Sequence, residues 1–263
     1  MNLITKILIP FDFSEASINA LRYTMNFAGP NRDIEILALY VAAMPITESE
    51  EKTLKIDFSK ALKSFKRKVK NPPSFITAKG DMIKKILETR SEHGANLIVM
   101  GTMVDKSTDE AITNTSRLAL EANCPMISVP FGCEIKEPTD IALVLGNEKI
   151  DDREVLRTLL DISRTFDSRV HVLTIYKESV YAEETVVDSN ESLLKYYLEH
   201  FYEEHAFSKN EDVEEGIFEY ITKKNIDLLA ILPRNHTKNS TPSEGRLTKL
   251  LTLHSEIPVL TLD

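Results

Sequence analysis

Along this chain short apolar runs alternate with amphipathic stretches of helical period, the pattern of a mostly parallel sheet covered by helices on both faces. In the first half, Lys6 to Pro10, Ile34 to Val41, Ser74 to Ala78, Asn96 to Met100 and Met126 to Val129 read as five strands. Ser14 is placed to cap a helix whose apolar side is Ala16, Ile18, Ala20, Leu21 and Met25, and Gly29 with Pro30 ends it. Leu54, Ile56, Phe58, Ala61, Leu62 and Phe65 predict a second helix from about Glu48 to Val69, stopped by Asn71, Pro72 and Pro73. Asp81 caps a third, Met82 to Glu92, with the stripe Ile83, Ile86 and Leu87 and with Gly94 at its stop. A fourth is expected from about Asp109 to Ala122.

The second half repeats this plan. Its strands are Ile141 to Leu145, Arg169 to Tyr176, a weak Ala206 to Ser208, Leu228 to Leu232 and Val259 to Leu262. Its helices run from about Asp151 to Phe166, Glu191 to Glu204, Val213 to Lys224 and Ser243 to His254. The letters repeat as well: ILALY from Ile36 is echoed by VLTIY from Val172, ANLIVMG from Ala95 by IDLLAIL from Ile226, and CPMISVP from Cys124 by IPVLTLD from Ile257, at spacings of 131 to 136 residues. A period of that length belongs to whole domains and not to a solenoid. The expected fold is α/β: two tandem open-sheet, three-layer α/β/α domains of Rossmann-like form, over residues 1–132 and 138–263. The link Cys133 to Thr139 is short and has no flexible Gly/Ser tract, so the halves are expected to pack together.

With 263 residues each half has a core of ordinary size and needs no disulfide or metal for stability. Cys124 and Cys133 lack metal-ligand spacing, Cys124 reads as a buried thiol at the start of a strand, and the pair points to a reducing compartment. The opening MNLITKILIPFD has too short an apolar run and no cleavage pattern for a signal peptide, and no segment approaches the length that crosses a bilayer. A cytoplasmic location is expected. The net charge of -9 opposes binding to nucleic acid and to anionic membrane, so neither is an expected partner.

In open parallel sheets a ligand crevice lies beyond the carboxyl ends of the strands, where the connections diverge to opposite faces. That places Phe11, Asp12 and Phe13 after strand one, Val41 and Ala42 after strand two, and Gly101 and Thr102 after strand four. Asp12 is the pivot: it accepts a hydrogen bond from a ribose hydroxyl or base amino group, or it caps the helix beginning near Ser14. KILIPFDFSEASINALRYTMNFA, ANLIVMGT and NTSRLALEANCPMISVP together resemble the universal stress protein family in its tandem, two-domain form. The resemblance covers residues 3 to 131 with specific motifs and the second half more loosely, through LLAILPRNH and LTKLLTLHSEIPVLTL. It implies an adenine nucleotide alpha hydrolase-like fold with a five-stranded parallel sheet of order 3-2-1-4-5 in each domain. It also implies pairing through the final strands, so that those at Met126 and Val259 meet in an internal pseudo-dimer. A homodimer and an unknown protein partner stay open.

Some members of this family bind ATP through G-x2-G-x9-G followed by Ser or Thr, where glycine amides approach the phosphates and a helix N-terminus supplies donors. Here Gly101 is kept, Val104 stands at the second glycine, and Asn114 with Thr115 stands at the third. Alternatively NTSR at Asn114 aligns with the N-T-x-R that follows the motif, and the loop is about two residues shorter; either way two glycines are missing. A valine forced to positive φ costs about 1 to 2 kcal/mol and fills phosphate space, and Asp109 and Glu110 add negative charge to the same loop. In the second half Asn147 follows Gly146 where Asp12 stood, and strand four runs into Pro233, Arg234, Asn235 and His236, the proline withholding an amide donor. Arg234, His236 and Lys238 either attract an anion or form a solvated loop. No cofactor and no metal is expected; a retained ATP or AMP crevice would consist of Phe11, Asp12, Val41, Gly101 and Thr115.

Other constellations add little chemistry. HFYEEH places His200 and His205 five apart on an expected helix, off a common face. KSFKRKVK, Lys63 to Lys70, reads as a helix end whose cations meet the C-terminal dipole, or as a docking site for an acidic partner. Glu211, Asp212, Glu214 and Glu215 open the next-to-last helix in the mirror-image sense. No nucleophile elbow, Walker loop or nucleotidyltransferase signature occurs, so the chain is expected to be no enzyme. The expected function is a regulatory or interaction module of a stress response, and the alternative is a sensor of ATP, AMP or cyclic AMP. A phospho-acceptor receiver built on Asp12 and Thr102 lacks the acidic pair and the lysine it would need.

Overall fold

The computed structural model describes residues 4–66, 68–104, 113–146, 150, 153–176, 184–232 and 245–263, with only the backbone for 184–189. The first half runs β1 (Lys6–Pro10), α1 (Glu15–Ala28), β2 (Glu35–Ala42), α2 (Glu48–Lys63), β3 (Ser74–Lys79), α3 (Met82–His93), β4 (Leu97–Thr102), α4 (Asn114–Glu121) and β5 (Met126–Pro130). The second runs β6 (Asp140–Val144), a 3-10 turn over Arg153–Leu156, α5 (Arg157–Phe166), β7 (Arg169–Tyr176), α6 (Glu184–Leu198), a 3-10 turn over Glu199–Phe201, β8 (Tyr202–Lys209), α7 (Val213–Lys224), β9 (Leu228–Ile231), α8 (Arg246–His254) and β10 (Val259–Thr261). All strands join one ten-stranded sheet of order β3-β2-β1-β4-β5-β10-β9-β6-β7-β8. Each half thus has the order 3-2-1-4-5, with parallel pairing inside it. The strands at Met126 and Val259 meet as expected: β5 and β10 pair antiparallel, Val259 opposite Ser128 and Thr261 opposite Met126.

The continuous apolar runs of the strands are explained by burial on both faces. On one face Ile7, Ile9, Val99, Ile127, Leu143, Val172 and Leu260 meet α1, α2, α5 and α6 in a single core that passes from one half into the other. The opposite face carries two separate cores, one under α3 and α4 around Leu8, Ile98 and Met126, the other under α7 and α8 around Ala142, Leu173 and Val259. The shared core is sealed by Phe27 and Phe166, ring centroids 4.9 Å apart, with the Arg32 guanidinium 4.3 Å over the Phe166 ring. Arg32 also donates to the Phe27 carbonyl at 2.9 Å, so its charge is engaged while its stem packs. Where α8 meets α4, Gly245 holds φ 62, and a Cβ there would come within 2.5 Å of Leu120.

A side-chain clamp is duplicated along with the fold. Asn96 Oδ1 accepts from the Thr5 amide at 3.0 Å, the Thr5 hydroxyl at 2.7 Å and the Lys6 amide at 3.1 Å, fastening the start of β1 to the start of β4. In the second half Asp227 Oδ2 does the same for the Thr139 amide at 2.9 Å, its hydroxyl at 2.8 Å and the Asp140 amide at 3.0 Å. Asp227 is buried and carries a charge that Asn96 lacks, and Lys136 from the link answers it at 2.6 Å. The link is therefore docked and not free.

Several elements depart from the sequence reading. α2 ends at Lys63 and not near Val69, because the chain must return in extended form to the start of β3, where Lys70 and Asn71 bond Asp33 at 2.9 and 2.8 Å. Of the KSFKRKVK cations only Lys63 lies in the last turn of the helix; Lys66, Lys68 and Lys70 lie beyond it. α6 starts at Glu184 and ends at Leu198, and residues 202–204, expected as helix, open β8. β8 is eight residues long and not the weak Ala206 to Ser208, and it places His200 in a turn and His205 in a strand. α4 starts at Asn114 after its cap Thr113, and the expected stretch 109–112 lies outside the described residues, as do 151–152 and 243.

Polar residues let β8 serve as an edge strand. Glu204 accepts from Tyr220 at 2.9 Å and lies 2.7 Å from Lys224, both on α7, and His171 on β7 stands between Glu204 at 3.5 Å and Asp140 at 3.2 Å. The Lys224 hydrogen bond, opposed by partial desolvation and aided by Tyr220, lowers the Glu204 carboxyl to about 2.

Two outcomes follow from this packing. Gly101 on β4 faces α1 so closely that a Cβ would lie 2.1 Å from the Ala16 carbonyl oxygen; Gly101→Ala should cost at least about 1 to 3 kcal/mol by overpacking, measured by urea unfolding. Because the folded Glu204 carboxyl lies below its ordinary 4.5, its contribution is complete above that pH and fades as pH falls toward about 2. The stability difference between the wild type and Glu204→Gln should therefore shrink through that window, as followed by urea midpoints at successive pH values.

Candidate functional site

A proline cuts one ladder short at the crevice. Along β1 the residues alternate in the direction of their backbone groups: the Phe11 amide donates toward β2, to the Leu39 carbonyl at 2.8 Å, and the Lys6 carbonyl accepts from the Asn96 amide on the β4 side at 2.9 Å. Pro10 falls in the β4-facing set and has no N–H to give. The pairing of β1 with β4 accordingly stops after Ile7 with Leu97 and Leu8 with Ile98. In the second half Val144 occupies the place of Pro10, and β6 pairs with β9 through to Val144 with Ile231. The β1–β4 ladder therefore ends earlier along its strands than the β6–β9 ladder does.

Around these strand ends the five predicted residues fall into two groups. Asp12, Val41, Gly101 and Thr115 lie at the carboxyl ends of β1, β2 and β4 and at the start of α4. Phe11 lies beneath them, fully buried, its ring edge-on to Phe13 at 4.9 Å and to Phe58 at 5.3 Å. Phe13, which the sequence reading did not single out as special, adopts φ 64. A bulky residue in that region costs about 1 to 2 kcal/mol, offset here by its rings' neighbours Phe11, Phe75 at 6.0 Å and Tyr40 at 6.1 Å. The alternation FDF was the available signal: the two aromatics turn inward and Asp12 outward.

Asp12 does not cap α1 directly. Its Oδ1 accepts from the Ser14 amide at 3.0 Å and from the Ser14 hydroxyl, while Ser14 Oγ is itself the cap and accepts from the Ser17 amide at 3.2 Å. Loss of surrounding water raises the Asp12 carboxyl, and the bonds from Ser14 and Ser17 outweigh it, leaving the group below its ordinary value. Asp12 thus braces the residue that caps the helix, and the cap itself is Ser14.

Gly101 and Thr115 are brought together, the Thr115 hydroxyl reaching the Gly101 carbonyl at 3.5 Å. The glycine has a packing reason of its own, since the side where a Cβ would stand is filled by the backbone of Ala16. The start of α4 closes on itself in a reciprocal cap: Thr113 Oγ1 accepts from the Ser116 amide at 3.0 Å and Ser116 Oγ from the Thr113 amide at 3.0 Å. The Ser116 amide at the helix start is thus already used within the chain. Asp109 and Glu110 lie outside the described residues.

In the second half the register puts Gly146, and not Asn147, at the place of Asp12, because the Leu145 amide bonds Leu173 as the Phe11 amide bonds Leu39. Asn147, Pro233, Arg234, Asn235, His236 and Lys238 lie outside the described residues. Histidines elsewhere hold structural bonds, His254 to Glu214 at 2.6 Å and His205 to Thr174 at 3.0 Å. Among the described residues no group of three or more His, Cys, Asp or Glu is arranged to hold a metal, and no helix is long and apolar enough to cross a membrane.

Comparison with known proteins agrees with this architecture. Residues 4–130 match the model of the universal stress protein family. The chain is similar to a universal stress protein from Archaeoglobus fulgidus, 14% identical, with 97% of each chain covered and a TM-score of 0.72. A protein of unknown function from Pseudomonas aeruginosa PAO1 is 13% identical, with 98% of this chain and 92% of that one covered and a TM-score of 0.61. The cytoplasmic domain of a prokaryotic cation chloride cotransporter shares the fold at 10% identity, over 98% of this chain and 95% of that one, with a TM-score of 0.53. Curated proteins give no match. Through residues 4–130 the chain belongs to the universal stress protein family, and its second half is a further copy of the same fold.

Proposed function

We propose that this chain is a regulatory or interaction module of the universal stress protein family in which catalysis plays no part and the crevice of the first half does not take a triphosphate. The carrying observation is that the groups a nucleotide would need are engaged within the chain: Asp12 by Ser14, the start of α4 by its Thr113 and Ser116 cap, and the open side of Gly101 by Ala16. The histidines bonded to Asp140, Glu204, Thr174 and Glu214 support the same reading, since each is committed to holding elements together. The early end of the β1–β4 ladder favours a second reading, in which the crevice admits a smaller adenine nucleotide such as AMP or cyclic AMP against Asp12 and Val41.

Calorimetric titration with ATP, AMP and cyclic AMP at millimolar ligand separates the two. The module reading expects no heat with any of them, saturable heat with AMP or cyclic AMP establishes the second, and tight ATP binding overturns the first outright. Asp12→Ala supplies a further check: as a brace of the α1 cap, Asp12 should contribute about 0.5 to 1.5 kcal/mol, so the variant should unfold at lower urea whether or not nucleotide is present.

A further inference from the structure

α2 has two faces, and only one of them serves the fold. Phe58 is buried in the shared core, and Leu62 packs against it. On the outside, Lys52, Lys55, Ile56, Ser59, Lys60 and Lys63 are all exposed and recur at the spacing that ordinarily marks a buried helical stripe. They line one shallow, open groove to which no other element contributes a residue. Ile56 sits in the middle of it with 48% of its surface exposed.

The charges in this stripe are unusual for the chain. Between Lys52 and Lys63 there are four lysines and one acid, Asp57, following the acidic first turn of Glu48, Glu50 and Glu51, in a protein of net charge -9. Lys55 and Lys60 have neighbours on the helix, Glu51 at 2.6 Å and Asp57 at 2.7 Å. Lys52 and Lys63, at the two ends of the groove, have no acidic partner among the described residues. Eleven positions of helix separate them, about 16 Å, the length of about three turns of a second helix.

We propose that this outer face of α2 is a docking surface for an acidic, amphipathic helical segment of a partner protein, with carboxylates meeting Lys52, Lys55, Lys60 and Lys63 and one apolar side chain seated on Ile56. The inference rests on the reading of the chain as an interaction module and supplies its surface. Charge complementarity selects an acidic partner. The isolated apolar centre selects protein over duplex nucleic acid, whose backbone offers it nothing. A membrane would need several protruding apolar residues along the helix, and α2 turns Ile56 outward while Phe58 and Leu62 face the core.

The test uses the full chain and a fluorescent 16-residue helical peptide bearing glutamates on one face around a central leucine, followed by anisotropy at two salt concentrations. Saturable one-to-one binding is expected, weakened by salt. Lys52→Glu with Lys63→Glu should lower the affinity by about tenfold or more, and Ile56→Ser by about threefold to tenfold. Reversal of Lys84 and Lys223, which lie on other helices, should change it by less than about twofold. Equal losses in the control pair, or no saturation, overturn the surface. So does a stronger Lys52- and Lys63-dependent association with phosphatidylserine vesicles or duplex RNA, which would assign the stripe to that partner instead. Far-ultraviolet circular dichroism confirms that each variant is folded, and the nucleotide titration tests the module reading independently of this result.

Discussion

The antiparallel junction of β5 with β10 is the constraint on which the rest of the molecule depends. Three residue pairs span it, and the strand ladder continues through them without an edge, so the two sheets become one. An unpaired edge in each half would expose a row of amides and carbonyls and invite association. Because the junction is antiparallel while each half is internally parallel, the strand ends of the two halves point in opposite directions. The two crevices therefore open at opposite ends of the sheet, and each must be judged on its own residues.

The same junction explains the unequal treatment of the two faces. One face has a single core, closed across the boundary by Phe27, Phe166 and Arg32, and the other has two separate cores, whose helices meet where Gly245 of the α8 cap stands against Leu120 of α4. The docked link adds a third tie, since Lys136 neutralises the buried Asp227 that holds the start of β6. Duplication has kept the geometry of that clamp and changed its charge: a neutral Asn96 suffices where no cation is supplied, and Asp227 stands where one is.

In open parallel sheets ligands bind beyond the carboxyl ends of the strands, and the two halves differ at the ends of β1 and β6. Pro10 ends the β1–β4 ladder at Leu8 and Ile98 by withholding one amide, and with Val144 in its place the β6–β9 ladder runs on to Ile231. The first crevice is lined by groups that satisfy one another. The surface of α2 has the reverse character, with a stripe of cations and one apolar side chain turned outward and little within the chain to meet them.

The sequence by itself determined most strands, most helices and the repeat, because alternating burial on the two sides of an element leaves a periodic trace in neighbouring letters. Of β8 it disclosed only Ala206 to Ser208, because Glu204 and His205 look soluble until Tyr220, Lys224 and Thr174 arrive from other elements. Nor did it disclose that α2 stops at Lys63, since Leu62, Phe65 and Val69 carry the helical period past the point where Asp33 draws the chain back to the sheet. Gly101 was legible as a special position but not for its reason: the space its Cβ would occupy belongs to Ala16, 85 residues earlier in the chain. Tertiary structure alone decided these points, because each turns on atoms that chain order keeps apart and only packing brings within a few ångströms.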